Sequence, residues 1–290
     1  MGKDKGQQME FISVGENIHT TRVLRRKGKS VVENEGLESI TYTGPENEAR
    51  FLVIPEVFKE RQEYRQGQIK HVMIAVNTAM SGNEHSAEAM TYLAILASKQ
   101  VEAEATYLDV NVDEISWKLE DQKAAMRWLV ETLQKITNSP LSIDSSNADV
   151  IEEGLAAYNH DVSRPLLNSA SLERLDALDL ALEYNASVVV TAAGARGMPD
   201  GVEGRVKNAS KMVENALSKG FSLKDIFIDP LVFPASVDKT FGAHALDAVR
   251  ELRAKFGPEV HITGGISNVS FCKNKIWILI FVSLVGGVGG

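Results

Sequence analysis

The sequence has little of what several protein classes require. Its one cysteine, Cys272, excludes an intramolecular disulfide and a cysteine metal cluster, and suits a reducing, cytoplasmic compartment. The 39 acidic residues outnumber the 31 basic ones and give a formal net charge of −8, which argues against a nucleic-acid-binding surface. Neither a P-loop nor a histidine and cysteine cluster at zinc spacing is present, so no metal centre is predicted.

Long hydrophobic runs are also scarce. The longest, IWILIFVSLV (276–285), has ten residues, whereas a membrane helix needs about 20. The first ten residues, MGKDKGQQME, lack the hydrophobic region of a signal peptide. The sequence therefore predicts a cytoplasmic protein with no membrane segment.

What is present is a regular alternation of strand-length apolar runs and longer segments with helical periodicity. Near-continuous apolar runs are typical of strands covered on both faces, as in parallel sheets, so an α/β fold is predicted. The seven candidate strands are FISVGENI (11–18), ATYLDVNV (105–112), LSIDSS (141–146), RPLLNSAS (164–171), SVVVTAA (187–193), IFIDPLVF (226–233) and HITGGIS (261–267).

The connection between the first two strands, residues 19–104, is longer than one helix requires. We expect an elaborated insertion here, and a separate N-terminal subdomain is the alternative. The expected parts are a hairpin-like stretch (24–44), one or more helices (45–67), an ambiguous apolar run HVMIAVNTAM (71–80) and a helix (85–100).

Polar residues follow nearly every candidate strand. The carboxyl ends of parallel strands meet at one face in a β/α barrel, so these side chains are expected to converge there. Each one alone could instead cap a helix or stabilise a turn. A carboxylate flanked by carboxamides suits a planar heterocycle rich in donors, such as a pterin. The residues are Glu16, Asn17, Asp109, Asn111, Asp144, Asn168, Asp229 and Asn268.

Other polar and aromatic residues are less informative. Residues 19–22, HTTR, could reach a ligand after the first strand, but an ordinary loop is the simpler interpretation. Trp117 and Trp128 are expected to pack in the core or against helices, and His85 and His244 are expected to be structural.

Five strand-end segments resemble, in order, motifs of the pterin-binding barrel superfamily. The closest likeness is to methyltetrahydrofolate:corrinoid methyltransferases, including the folate module of cobalamin-dependent methionine synthase. GENI (15–18) resembles the family's opening strand end, with Asn17 where arginine is common. The likeness covers about residues 11–18 and 101–270. The segments are LDVNVD (108–113), SIDSSN (142–147), LLNSAS (166–171), FIDPLVFPASV (227–237) and GGISNVS (264–270).

The resemblance implies a TIM-type (β/α)8 barrel that binds the pterin at its carboxyl face. The implied reaction moves the N5 methyl group of methyltetrahydrofolate to the cobalt of a corrinoid that a partner protein carries. Asn268 would hydrogen-bond N5 and Asp144 would share in catalysis, while Arg196 is a candidate for the folate tail. The implied pterin-binding set is Asp109, Asn111, Asp144, Asn168, Asp229, Ser267 and Asn268.

Two other functions remain open. Dihydropteroate synthase shares the fold, but its reaction expels diphosphate and so needs clustered cations. The corresponding turn here is Ser267-Asn268-Val269-Ser270, without a cation. A catalytically defective pterin-binding relative is the second alternative. The sequence also leaves open whether the chain is a monomer or a homodimer.

The last residues depart from the family pattern. We expect the barrel domain to span residues 1–270, and residues 271–290 to be an atypical hydrophobic tail. A complete barrel needs a further helix, strand and helix after strand seven. The sequence therefore predicts a barrel truncated after that strand.

Overall fold

The computed structural model describes residues 12–234 and 237–265. They divide into two compact units, the first being Gly15–Pro165 and the second Met1–Val14 with Leu166–Gly290. The predictions for Ser267, Asn268 and the tail at 271–290 fall outside the described residues. Across the described ranges, we find no helix that is both long and apolar enough to cross a membrane.

The first unit contains three strands that supply the site described below. They run in the order β1, β7, β8, and β7 pairs with β8 in parallel. Two helices follow these strands along the chain, α5 after β7 and α6 after β8. The bounds are β1 (Val14–His19), β7 (Tyr107–Asn111), α5 (Leu119–Ile136), β8 (Leu141–Asp144) and α6 (Ala148–Ala156).

Residues 19–104 form two small antiparallel sheets and four helices within the first unit. The hairpin expected at 24–44 is confirmed, because β3 pairs with β4. The elements are β2 (Leu24–Arg25), β3 (Val31–Asn34), β4 (Leu37–Thr43), β5 (Ala49–Val53), α1 (Glu56–Lys59), α2 (Gln62–Arg65), β6 (Gln68–Ile69), α3 (His71–Ser81) and α4 (Ser86–Glu102).

The structure corrects or completes three interpretations of residues 45–117. The segment 45–67 contains helices α1 and α2, as expected, but it also contains strand β5, which pairs with β4. The ambiguous run at 71–80 is helix α3, which is buried on most of its surface and so lacks the polar face that marks helical periodicity. Trp117 is 89% exposed, so its expected packing role is wrong.

The second unit contributes four parallel strands in the order β9, β10, β11, β12, with helices between them. All seven strands expected for the barrel are thus found in the described ranges, each shorter than its sequence segment. This alternation of parallel strands and helices confirms the α/β fold of the TIM-barrel type. The bounds are β9 (Leu166–Ala170), α7 (Asp176–Glu183), β10 (Ser187–Thr191), α8 (Gly201–Lys219), β11 (Ile226–Asp229), α9 (Phe241–Phe256) and β12 (His261–Ile262).

Candidate functional site

Apolar and polar residues alternate along strands β7 and β8, so the two kinds of side chain lie on opposite faces of each strand. Leu108 and Val110 point to one face of β7, and Asp109 and Asn111 to the other. All four residues are buried. A buried polar face on a parallel strand needs partners, because an unpaired buried polar group is costly. The polar face of β7 therefore marks the place where a site can form.

Four side chains from the ends of β1, β7 and β8 form what we call the acid–histidine cluster: His19, Asp109, Asn111 and Asp144. His19 Nε2 lies 2.6 Å from Asp109 Oδ2. Asn111 Nδ2 donates to Asp144 Oδ2 at 2.8 Å. One ligand atom from each of His19, Asp109 and Asp144 lies within 4.8 Å of the others. The structure thus brings together the three site residues predicted for these two strands.

The loops that follow β7 and β8 are joined by Asp113. This carboxylate accepts from the Ser145 hydroxyl at 2.5 Å and from the Ser146 backbone N–H at 2.9 Å. Helix α6 is capped separately, because the Asn147 side chain accepts from the backbone N–H of Asp149 at 2.9 Å. Asp144 is therefore not needed as a helix cap, as the sequence indicated.

Charge crowding changes the proton affinity of Asp144. Burial and the nearby Asp109 carboxylate raise the pKa of Asp144 to about 7, while the charge of His19 and the hydrogen bond from Asn111 act in the opposite direction. A carboxyl group with a pKa near neutrality can both accept a hydrogen bond as an anion and hold a proton. Such perturbed groups are common at functional sites.

His19 is the basic residue of the cluster. Burial alone would lower the pKa of His19, but the hydrogen bond and charge of Asp109, with the charges of Asp144 and Glu16, raise it above its usual value. Its side chain is only 12% exposed. The acidic groups around His19 therefore favour its protonated form by more than burial disfavours it.

Glu16 is the acidic residue of strand β1. Its carboxylate pairs with Arg22 at 2.9 Å, and the Arg22 Nε donates to the Glu16 backbone carbonyl at 2.7 Å. Burial and the charge of Asp109 raise the pKa of Glu16. Glu16 therefore adds a further acidic group to the surroundings of His19.

The sequence interpretation of His19 was wrong. His19 was assigned to an ordinary loop, whereas it is the last residue of β1 and its side chain is only 12% exposed. The signal was present in the sequence, because moving the strand end one residue beyond Ile18 makes His19 a strand-end polar residue like Asn111 and Asp144. The donor set of one imidazole nitrogen and two carboxylate oxygens is also one that a divalent cation could accept.

In the second unit, Asp229 ends strand β11 opposite Thr191 of β10. Its Oδ1 accepts from the Leu231 backbone N–H at 2.8 Å, which confirms that it stabilises the turn at Pro230. A Cβ added at Gly264 would lie 3.9 Å from the same oxygen. That distance is an ordinary contact; the close approach at Gly264 is to Val232, whose Cγ2 would lie 2.9 Å from the added Cβ.

Asn168 and Arg196 also lie in the second unit. Asn168 is paired with Val189, and the register between β9 and β10 shifts directly after this pair. Such irregularities re-aim side chains and are common next to active sites. Arg196 is exposed, in a turn closed by Gly194 and Gly197. Its assignment to the folate tail stays a prediction.

Arg205 supports the turn that carries Asp229. It is fully buried, and its Nε donates to the Leu231 carbonyl at 3.2 Å while Nη1 donates to the Gly201 carbonyl at 2.7 Å. Its guanidinium lies 4.6 Å above the centre of the Phe233 ring. Sequence analysis did not identify Arg205, because a lone arginine within a helix carries no recognisable pattern.

Comparison with known proteins bears on the family to which the chain belongs. Residues 78–279 match the family model described as "Pterin binding enzyme". A methylcorrinoid:tetrahydrofolate methyltransferase from Eubacterium limosum is 31% identical over 185 residues, which are 60% of this chain and 64% of the relative. The chain therefore spans less than two thirds of that relative's length.

Two solved structures of dihydropteroate synthase from Xanthomonas albilineans are similar in fold. The complex with 7,8-dihydropteroate has a TM-score of 0.50 and 20% identity, covering 64% of this chain and 66% of that one. The complex with 4-aminobenzoic acid has a TM-score of 0.51 and 19% identity, covering 64% and 68%. At this identity the likeness bears on the fold alone, whereas the family match spans most of the sequence: the chain belongs to the pterin-binding enzyme family.

Proposed function

We propose that the chain transfers a methyl group between N5 of tetrahydrofolate and the cobalt of a corrinoid carried by a partner protein. The observation that carries the proposal is the partly buried Asn111–Asp144 pair within the acid–histidine cluster of a pterin-binding enzyme. The activity for which the Eubacterium limosum relative is named supports the same reaction class.

The proposed binding chemistry uses the acidic character of the cluster. A pterin presents an exocyclic amine beside a ring N–H, and an ionised carboxylate can accept from both. Asp144 is proposed as such an acceptor, held in place by the Asn111 amide at 2.8 Å. Asp109 contributes negative charge beside it. The assignments of Asn168, Asp229, Ser267 and Asn268 to the same ligand remain predictions from the sequence.

The reaction must balance one proton. When the N5–CH3 bond breaks, the methyl group passes to Co(I), the bonding electron pair stays on N5, and N5 takes up a proton. In the opposite direction the N5–H amine attacks the methyl group, Co(I) leaves with the electron pair, and N5 releases the proton. A donor near N5 lowers this barrier as charge develops. The proposed donor is Asn268.

The direction of transfer is part of the test. The sequence resemblance suggested transfer from methyltetrahydrofolate to cobalt, whereas the relative's name states transfer from a methylcorrinoid to tetrahydrofolate. Both follow from the same pterin site, because the forward and reverse reactions share a transition state. The supply of methyl groups to the cell would set the direction.

The experiment mixes the chain with methyltetrahydrofolate and Co(I) cobalamin under anaerobic conditions and follows methyl–cobalt formation by absorbance. A second arm supplies methylcobalamin and tetrahydrofolate. We expect transfer in both arms and a loss of about tenfold or more in pterin affinity for Asp144→Asn. Asp161→Asn changes an exposed carboxylate of the same unit and serves as the matched control.

Two results would redirect the proposal. Condensation of a dihydropterin diphosphate with 4-aminobenzoate, without methyl transfer, would assign the synthase reaction instead. Binding of methyltetrahydrofolate without either reaction would indicate a catalytically defective relative.

A further inference from the structure

A tryptophan is exposed to solvent close to the acid–histidine cluster. Trp117 is 89% exposed and lies in the loop of residues 112–118, which connects β7 to α5. This loop begins directly after Asn111, and the Glu114 backbone N–H donates to the hydroxyl of Thr20, the first residue after β1, at 3.1 Å. The loop therefore lies at the same end of the strands as the cluster.

Hydrogen bonds fix the shape of this loop on both sides of Trp117. The Gln122 side-chain amide of α5 donates to the Asp113 carbonyl at 3.0 Å and to the Ser116 carbonyl at 2.8 Å. The Ser116 hydroxyl donates to Asp121 Oδ2 at 2.7 Å. An indole held in water by an ordered loop forgoes the stabilisation of burial. Tryptophan in such a position is typical of a binding surface.

Trp117 lines a groove of about 550 Å³ within the first unit, which we call the Trp117 groove. The Lys70 side chain is only 12% exposed and pairs with Glu63 at 3.0 Å and with Glu114 at 2.6 Å. With Arg61 there are two cations and two carboxylates, so the lining is neutral overall. The other lining residues are Arg61, Gln62, Glu63, Lys70, Glu114 and Ser116.

The chemistry of the groove suits a large, flat ligand of low charge. A polyanion needs an excess of cations, whereas the charges here are matched. A corrin ring is a flat, largely apolar macrocycle whose edge carries neutral carboxamide groups. Carboxamides both donate and accept hydrogen bonds, as Gln62 and Ser116 also do, and the guanidinium of Arg61 can donate to their oxygens. The indole of Trp117 offers the apolar contact.

We propose that the Trp117 groove binds the edge of the corrinoid whose cobalt exchanges the methyl group. This inference rests on the proposed function, because that reaction requires the cobalt to reach the carboxyl ends of the strands. The loop of Trp117 continues from Asn111 of the acid–histidine cluster, so a corrinoid held in the groove lies beside the proposed pterin site. Trp117 is thus a binding residue for the second substrate.

The first experiment measures the dissociation constant of methylcobalamin by calorimetry, in the dark and without a pterin. We expect Trp117→Ala to weaken binding by about tenfold, and Trp117→Phe, which keeps a flat apolar ring, to weaken it less. Trp117 is 89% exposed, so these substitutions leave the fold intact. Trp128→Phe, at a partly exposed position in α5 outside the groove, is the matched control and should leave the affinity unchanged.

A second experiment separates a corrinoid contact from a general effect on the enzyme. Methyl transfer from methylcobalamin to tetrahydrofolate is followed at varied concentrations of each substrate. We expect Trp117→Ala to raise the KM for methylcobalamin by about tenfold, with the KM for tetrahydrofolate unchanged. The dissociation constant of methyltetrahydrofolate should also stay the same.

The outcomes distinguish this inference from the proposed function. Equal methylcobalamin affinity in wild type and Trp117→Ala would overturn the inference. Methyl transfer without measurable methylcobalamin binding would also overturn it, and would assign the groove to the polypeptide of the partner. Methylcobalamin binding that depends on Trp117, without methyl transfer in either direction, would support the groove and contradict the proposed function.

Discussion

Asn111 and Asp144 are register partners across the parallel β7–β8 pair, and their side chains are joined by a hydrogen bond of 2.8 Å. Each residue is the last of its strand. The pairing of two strands thus fixes an acceptor and the amide that orients it, without any contribution from a flexible loop.

The raised pKa of Asp144 predicts opposite pH trends for stability and for ligand binding. Between its unfolded value and its folded value of about 7, the folded chain holds more protons than the unfolded chain. This contribution to the free energy of unfolding therefore decreases as pH rises through that window. Pterin affinity increases over the same window, because binding needs the anion.

The check compares wild type with Asp144→Asn in chemical denaturation from pH 5 to 8. We expect the difference in unfolding free energy to shift by about 1 to 3 kcal/mol in favour of the variant as pH rises. A difference that stays constant with pH would contradict the raised pKa. Asp161→Asn, at an exposed position, is the control: its difference in unfolding free energy from wild type should not change with pH.

Much of this architecture could be predicted from the sequence, for an identifiable reason. Strands β7, β8 and β10 are buried, so their near-continuous apolar runs stand out against the helices that follow. Helix α3 did not stand out, because burial on most of its surface removes the polar face. An apolar run of ten residues cannot by itself distinguish strand from helix.

The sequence predicted only part of the acid–histidine cluster, and the reason is related. Asp109, Asn111 and Asp144 follow apolar runs, which makes them visible as strand ends. His19 was missed because strand boundaries are the least certain feature of a sequence pattern. The predicted first strand ended at residue 18, one residue before His19. The proximity of His19 to Asp109, 90 positions away, depends on strand pairing that the sequence alone does not reveal.

Arg205 is expected to maintain the turn that presents Asp229. The substitution Arg205→Lys cannot reproduce both the bond to the Leu231 carbonyl and the bond to the Gly201 carbonyl. We expect a loss of about 2 to 4 kcal/mol in unfolding free energy, because buried carbonyls lose their donors. Thermal denaturation measures this loss. Lys207→Ala, exposed on the same helix, should change stability by less than about 0.5 kcal/mol.

A separate test of Arg205 concerns the ligand. If pterin binding uses Asp229, Arg205→Lys should weaken methyltetrahydrofolate binding at a temperature where both proteins are folded. Unchanged affinity in a folded, destabilised variant would mean that the turn at Leu231 does not orient the ligand-binding carboxylate.

The buried pair of Tyr92 and His71 predicts a stability effect away from the site. The Tyr92 hydroxyl lies 2.9 Å from His71 Nδ1, and burial lowers the pKa of His71 to about 4. Tyr92→Phe leaves the imidazole without this partner and should cost about 1 to 3 kcal/mol. Denaturation at pH 8, where His71 is neutral in both folded and unfolded chains, isolates the hydrogen bond from titration. A cost below about 0.5 kcal/mol would show that the imidazole finds another partner.

Gly154 allows helix α6 to lie close to strand β8. A Cβ at this position would lie 2.6 Å from Ile143 Cγ2 and 2.9 Å from Met126 Cγ, closer than carbon atoms can pack. Alanine favours a helix by up to about 1 kcal/mol over glycine, but displacing α6 from β8 costs about 1 to 3 kcal/mol. Gly154→Ala should therefore lower the melting temperature. Gly242→Ala, in α9 with no neighbouring atom within 4 Å of the new Cβ, should leave it unchanged or raise it. Ile143 directly precedes Asp144, so displacing α6 should also weaken pterin binding. If Gly154→Ala is instead stabilised and binds the pterin with normal affinity, α6 does not set the position of Asp144.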